Sequence, residues 1–195
     1  MIFTVNPVIR PTIVLLTIFT IVTGVIYPLA VWLFGQSLFP HQANGSLLKL
    51  DDRVIGSELI AQPFHTPEWF WPRPSAVGYD ASSSGGSNLA PTNPALLEAV
   101  GTRVSALNTS DSTTSPSLIP VDLVTSAASG LDPHLSPAAA FYQVPRIAKA
   151  RNIEPSLLQK LIHDNTEPRT FGLLGEPRVN VLLLNIKLQK LSHKE

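Results

Sequence analysis

From Thr12 to Phe34 the chain reads TIVLLTIFTIVTGVIYPLAVWLF, 23 residues without one charged side chain. At about 1.5 Å per residue, a helix of that length crosses the roughly 30 Å hydrocarbon core of a bilayer. The run is apolar all round, unlike the one-sided stripe of a helix on a soluble domain. It exceeds the apolar core of a cleaved signal peptide, about 7–15 residues, and no A-x-A-like site follows it. These features predict a transmembrane helix over 12–34. Trp32 is well placed as an interfacial anchor, with Tyr27 and Phe39 near the same end. Pro28 predicts a local kink, and Gly24 with Thr17, Thr20 and Thr23 suggests the approach of a partner helix. Arg10 and the free amine lie closer to the helix than Lys49 and Arg53. That asymmetry favours a cytoplasmic tail over 1–11, with residues 35–195 outside.

Residues 35–195 are enough for one compact domain. Charged residues make up 14% of the chain, against about 25% in typical globular proteins, partly because of the anchor. Formal net charge is zero, so nothing in the total attracts nucleic acid. The distribution is uneven. From His41 to Val144 there are four Lys/Arg and nine Asp/Glu, and from Pro145 to Glu195 nine Lys/Arg and five Asp/Glu. The basic end reads as a solvated helix face, and the acidic stretch has the sign that suits cations. The absence of cysteine excludes disulfides, Cys-based zinc sites and a cysteine nucleophile. The eighteen prolines fall mostly in loops and at helix starts.

Leu48–Leu50 and Val54–Ile60 predict a hairpin turning at Asp51-Asp52. Residues 63–80 (PFHTPEWFWPRPSAVGYD) predict an ordered loop, in which Phe64, Trp69, Phe70, Trp71 and Tyr79 either pack on the domain or form a contact surface. Residues 81–88 (ASSSGGSN) are flexible by composition. Thr92-Asn93-Pro94 predicts a capped helix start, with Leu96, Leu97, Val100, Val104 and Leu107 on one buried face. Residues 108–117 (NTSDSTTSPS) predict a polar linker. Val121–Thr125 predicts a short strand. Ser136-Pro137 starts a helix that Pro145 divides in two, and Pro155 starts a third with Leu157, Leu158, Leu161 and Ile162 buried. Arg169–Leu174 predicts a strand. Pro177 predicts the last helix, with Val179, Leu182, Leu183, Ile186 and Leu191 as its stripe. The sum is an α+β domain behind one membrane helix.

No catalytic motif stands out. G-x-S-x-G and G-x-x-x-x-G-K-[ST] are both missing, and His41, His65, His134, His163 and His193 form neither H-x-x-x-H nor H-E-x-x-H. Asp132, His134 and Ser136 alternate in one loop, where Asp132 and Ser136 suit turn and helix caps better than a triad. Ser83–Ser87 (SSGGS) could wrap an anion, though a plain turn explains it as well. The residues alone therefore favour a structural or regulatory partner over an enzyme.

Five segments stand in one order behind the single helix: IGSELIAQPF (55–64), FWPRPSA (70–76), GSNLAPTNPALL (86–97), VTSAASGLDPHLSPAAAFYQVPRIAKARN (124–152) and LGEPRVNVLLLN (174–185). In these the chain resembles the KdpC family, the small subunit of the Kdp high-affinity potassium-transporting P-type ATPase, over almost its whole length. The resemblance implies a bacterial inner-membrane complex with a potassium-channel-like subunit, a P-type ATPase subunit and a very small fourth subunit. It implies no catalysis by this chain, which lacks an Asp-Lys-Thr-Gly-Thr motif, and potassium carried by another subunit. It also implies a role in assembly and as a catalytic chaperone that raises the pump's affinity for ATP. Gln143 matches the glutamine proposed to contact nucleotide. Phe70, Trp71, Asn88, Asn93, Asp132 and His134 fall in the matching blocks and Trp69 adjoins one, and all seven are expected at subunit contacts or in the scaffold beneath them. An outer domain cannot reach cytoplasmic ATP, so any effect on its affinity would be allosteric. An independent membrane-tethered binding module is the alternative reading.

Overall fold

The computed structural model describes residues 7–50, 53–110 and 118–192. It divides into two compact units, Met1–Ile55 and Gly56–Glu195.

In the first unit, α1 (Ile9–Ile21), a π-helical turn (Val22–Ile26) and α2 (Tyr27–Leu38) form one continuous helix of 30 residues. None of its residues is buried. The helix is long and apolar enough to cross a membrane, and it extends past both ends of the predicted 12–34 span. Pro28 has no N–H, and its ring crowds the carbonyl four residues earlier, that of Gly24. The ladder answers with the π-helical turn just before the proline, so the expected kink site is a change of helix type. Thr17 and Thr23 donate their hydroxyls to the carbonyls of Ile13 and Phe19, at 2.8 and 2.6 Å. Their polarity is thereby satisfied within the helix and does not call for a partner helix. After α3 (Pro40–Ala43), β1 (Leu47–Leu50) pairs with β2 (Arg53–Ser57). This is the predicted hairpin, though its turn at Asp51-Asp52 lies outside the described residues.

The second unit holds α4 (Pro94–Ser110), a 3-10 turn (Val121–Leu123), β3 (His134–Leu135), α5 (Pro137–Tyr142), α6 (Val144–Arg151), α7 (Pro155–Asp164), β4 (Thr166–Glu167), β5 (Arg178–Asn180) and α8 (Val181–Ser192). The small antiparallel sheet has the order β3-β5-β4, with Leu135 and Thr166 flanking Val179. Phe70, Ile147, Leu158, Ile162, Val179, Leu184 and Leu188 are fully buried between sheet and helices. This is the α+β domain expected.

The helix starts follow the capping chemistry. Asn93 Oδ1 accepts the Ala95 amide at 3.0 Å, and Ser136 Oγ accepts that of Ala139 at 3.1 Å. Pro145 and Pro155 sit in the first turns of α6 and α7.

Several expectations change. Val121–Thr125 is not a strand: Leu123 is buried and Asp122 Oδ2 accepts the Ser136 amide at 2.8 Å, which holds a 3-10 turn. Arg169–Leu174 is a turn, because Phe171, Gly172 and Gly175 all have positive φ and reverse the chain. The last helix begins at Val181, since residues 178–180 are captured as the central strand. Its buried stripe is Val181, Leu184, Asn185 and Leu188, with Leu182 also buried and Leu183, Ile186 and Leu191 only half-buried. Leu97 on α4 and Leu157 on α7 are exposed. Asn108–Ser110 belong to α4, while residues 111–117 of the expected linker lie outside the described residues. Residues 84–86 are tied down rather than free: Gly85 N–H and Ser84 Oγ both donate to Ser129 O, at 2.9 and 3.1 Å. At Gly130, with φ +67°, a Cβ would lie 2.7 Å from Gly85 O and 2.6 Å from Val77 Cγ2. Only glycine lets these two loops lie backbone against backbone.

Candidate functional site: a clamped aromatic loop

Four prolines in residues 63–80 remove amide donors, so this stretch cannot join a sheet. Its buried backbone groups still need partners, and side chains from the helices supply them. Phe70 N–H donates to Asn185 Oδ1 at 2.9 Å, and Asn185 Nδ2 returns a bond to Phe70 O at 3.0 Å. Trp71 N–H donates to Gln143 Oε1 at 2.8 Å, and Gln143 Nε2 donates to Trp71 O and Ala139 O, both at 3.2 Å. Arg146 Nη1 donates to the carbonyls of Pro67 and Trp69, and Arg151 Nε to that of Glu68. Four side chains thus hold five consecutive carbonyls, 67 to 71. Arg146 Nη2 also donates to Gln143 Oε1 at 2.6 Å, which joins two of the clamps.

The rings complete the arrangement. Phe70 is fully buried. The Arg146 guanidinium lies 4.0 Å from the centre of the Trp71 ring and that of Arg151 lies 4.2 Å from Trp69. These stacks suit cations withdrawn from water. Arg146 is only 4% exposed, so the basic end of the chain is not wholly the solvated face expected of it. Burial lowers the Arg151 pKa, partly opposed by the nearby Glu68 carboxylate. Neither arginine nor Asn185 stood out in the sequence. The available signal was the pairing of two tryptophans one residue apart with two arginines on a short helix.

A second cluster continues from the loop. Arg73 Nη1 meets Asp132 Oδ2 at 3.0 Å, and Asp132 Oδ1 accepts the His134 amide at 3.0 Å with His134 Nδ1 at 3.5 Å. Burial pushes the Asp132 carboxyl up, but the bonds from His134 and the Arg73 guanidinium outweigh it and hold the group below its ordinary value. A carboxylate with a depressed folded pKa stabilises the fold above the ordinary carboxylate range, and that contribution drains as pH falls through the lowered value. Asp132→Asn is therefore expected to lose about 1–2 kcal/mol at pH 7, a modest figure because both side chains are partly exposed. Urea midpoints of the full-length chain at pH 7 and pH 3 check this: the gap between wild type and variant should narrow at pH 3.

The predicted site residues thus fall into separate groups. Trp69, Phe70, Trp71 and Gln143 meet in the clamp, and Asp132 and His134 meet through Arg73. Asn93 caps α4, and Asn88 is an exposed residue with positive φ. Gln143 is 1% exposed, with both ends of its amide bonded within the chain. The Ser136 hydroxyl is committed to its helix cap, so Asp132, His134 and Ser136 do not form a relay. A cavity of about 300 Å³ opens between the loop and α4, lined by Phe64, His65, Trp71, Tyr79, Arg103 and Leu123 among others. Arg103 is turned to structural use there, donating to Val124 O at 2.7 Å and Ser126 Oγ at 3.2 Å. Burial raises the Tyr79 phenol, whose hydroxyl donates to Arg73 O at 3.0 Å. No cluster of metal-ligating side chains occurs among the described residues. The geometry is that of a rigid scaffold presenting a loop.

Known proteins resemble this chain over nearly its whole length. The family described as the K+-transporting ATPase c chain, KdpC, matches residues 9–190. The potassium-transporting ATPase KdpC subunit of Methylococcus capsulatus is 54% identical over 186 residues, covering 93% of this chain and 97% of that protein. Its namesake in Burkholderia ambifaria is 54% identical over 183 residues, covering 92% and 94%. That of Paraburkholderia phytofirmans is 51% identical over 187 residues, covering 94% and 97%. With a match that takes in the apolar helix, the clamped loop and the Asp132 cluster together, the chain belongs to the KdpC family.

Proposed function

We propose that this chain is the accessory subunit of an ATP-driven potassium-uptake complex in a bacterial inner membrane. It would span the membrane once, with the N-terminus in the cytoplasm and the α+β domain outside. The match to KdpC subunits over more than nine-tenths of the chain carries this reading. Its partners in that role are a potassium-channel-like subunit, a P-type ATPase subunit that hydrolyses the ATP, and a small fourth subunit. The chain itself supplies assembly and a conformational bias.

The reading extends to the chaperone effect on ATP affinity. Gln143 is enclosed by Trp71, Ala139 and Arg146, which supports a scaffold role for it rather than direct contact with nucleotide. A change in ATP affinity then arises because the subunit binds one conformation of the pump better than another, and the coupling is reciprocal.

Mild-detergent purification of the tagged chain from potassium-starved cells tests the proposal. Co-elution of a P-type ATPase and a channel-like subunit, with potassium-stimulated ATP hydrolysis, is the expected outcome. Removal of the chain should abolish that activity and the association of the remaining subunits. Elution of the chain alone, or a fully active pump without it, would overturn the reading in favour of an independent tethered module.

A further inference from the structure

The connection between β4 and β5 presents three large apolar side chains to solvent. Phe171 is 91% exposed, Leu173 80% and Leu174 63%. The tip is nevertheless a built turn. Thr170 and Leu174 exchange backbone hydrogen bonds at 2.9 and 3.0 Å, and the amides of Gly172 and Leu173 donate to Arg169 O and Thr170 O. At its base Arg169 grips both carboxylate oxygens of Glu176 at 2.8 Å, and Arg178 meets Glu167 across the strands at 2.9 Å. Phe171 holds φ +55°, an unfavourable conformation for a bulky residue. Burial within this chain does not compensate for it.

We propose that this tip dips into the interfacial layer of the bilayer that holds the chain's own anchor, as a second and weaker membrane contact. The reading stands on the apolar helix and does not depend on the partners proposed above. Three observations favour lipid over a protein pocket. The amides of Thr170, Gly172, Leu173 and Leu174 are bonded within the turn, so most of the tip's donors are not stranded when it leaves water. Its flanking charges neutralise each other in pairs, which removes the cost of carrying a lone charge towards an apolar layer. Three side chains are too little for an independent protein interface, which needs about 1,000 Å². A tethered domain needs only a weak contact, because the bilayer is always near.

The chain has no cysteine, so one introduced at the tip gives a clean probe. Full-length Leu173→Cys, labelled with an environment-sensitive fluorophore, would be reconstituted in vesicles of phosphatidylethanolamine and phosphatidylglycerol containing shallow doxyl-labelled lipid. Gln159→Cys, on an exposed position of α7, is the aqueous reference. The expected result is a blue-shifted emission and loss of intensity to the doxyl lipid at the tip but not at the reference. Adding Phe171→Ser and Leu174→Ser should abolish both. Emission matching the reference would overturn the proposal. So would protection from aqueous iodide without quenching by lipid, which would place the tip in a protein pocket.

Discussion

Replacing Gln143 by leucine is expected to destabilise the domain by about 3–5 kcal/mol, the range for breaking a buried polar network. Leucine fills most of the volume but bonds nothing. The Trp71 amide and carbonyl lose their partner at once, and Arg146 loses the amide oxygen it holds at 2.6 Å. Each buried group left without a partner costs about 1–3 kcal/mol, more when a charge is involved. Urea unfolding of the detergent-solubilised full-length chain, followed by tryptophan fluorescence, measures the loss. Trp69 and Trp71 lie inside the clamp and should report its opening, whereas Trp32 lies on the membrane helix. A loss of pump activity in this variant would then be traced to the scaffold, provided stability falls in parallel. An unchanged midpoint would show that the amide is dispensable to the fold and would return weight to a direct role with nucleotide.

Phe70→Ala should cost about as much, about 3–5 kcal/mol, by a different route. The phenyl ring is fully buried in the main cluster, and its removal leaves a cavity that the surrounding helices fill only in part. The backbone bonds to Asn185 involve atoms that alanine keeps, so this variant isolates packing from hydrogen bonding. Combining it with Asn185→Leu should give less than the sum of the two losses, because both act on one residue's hold on the core. The same urea experiment on the two single variants and the double variant checks this. A fully additive pair would mean that the ring and the backbone of Phe70 are anchored independently.

The parts of this fold that were legible in the sequence are those determined locally. A charge-free run reports a membrane helix because no folding partner is needed to define it. Asn93-Pro94, Ser136-Pro137 and Pro155 announce helix starts because capping is settled within one turn. The short strands of the second unit were missed for the opposite reason. Arg178-Val179-Asn180 adjoins an apolar helical run and merges with it in sequence, and only pairing with both Leu135 and Thr166 makes Val179 a strand residue. Val121–Thr125 has strand-forming side chains, yet a bond from a residue 14 positions away holds Asp122 in a turn. The aromatic loop was visible as too much apolar surface to leave wet. Its clamps were not, since Asn185 lies 115 residues from Phe70 and Gln143 lies 72 from Trp71. Asp132 and Ser136 could be read as local capping groups, but Arg73 as the partner of Asp132 could not.

The π-helical turn at Val22–Ile26 has a consequence for the anchor. An α-helix advances about 100° per residue, and a π turn accommodates one extra residue without a matching advance along the ladder. The half before the turn and the half after it are therefore out of phase. A lateral neighbour that follows one face through α1 meets a different face along α2. Each half of the anchor can then choose its neighbours separately, and the sequence on one side of Gly24 is released from the heptad bookkeeping of the other.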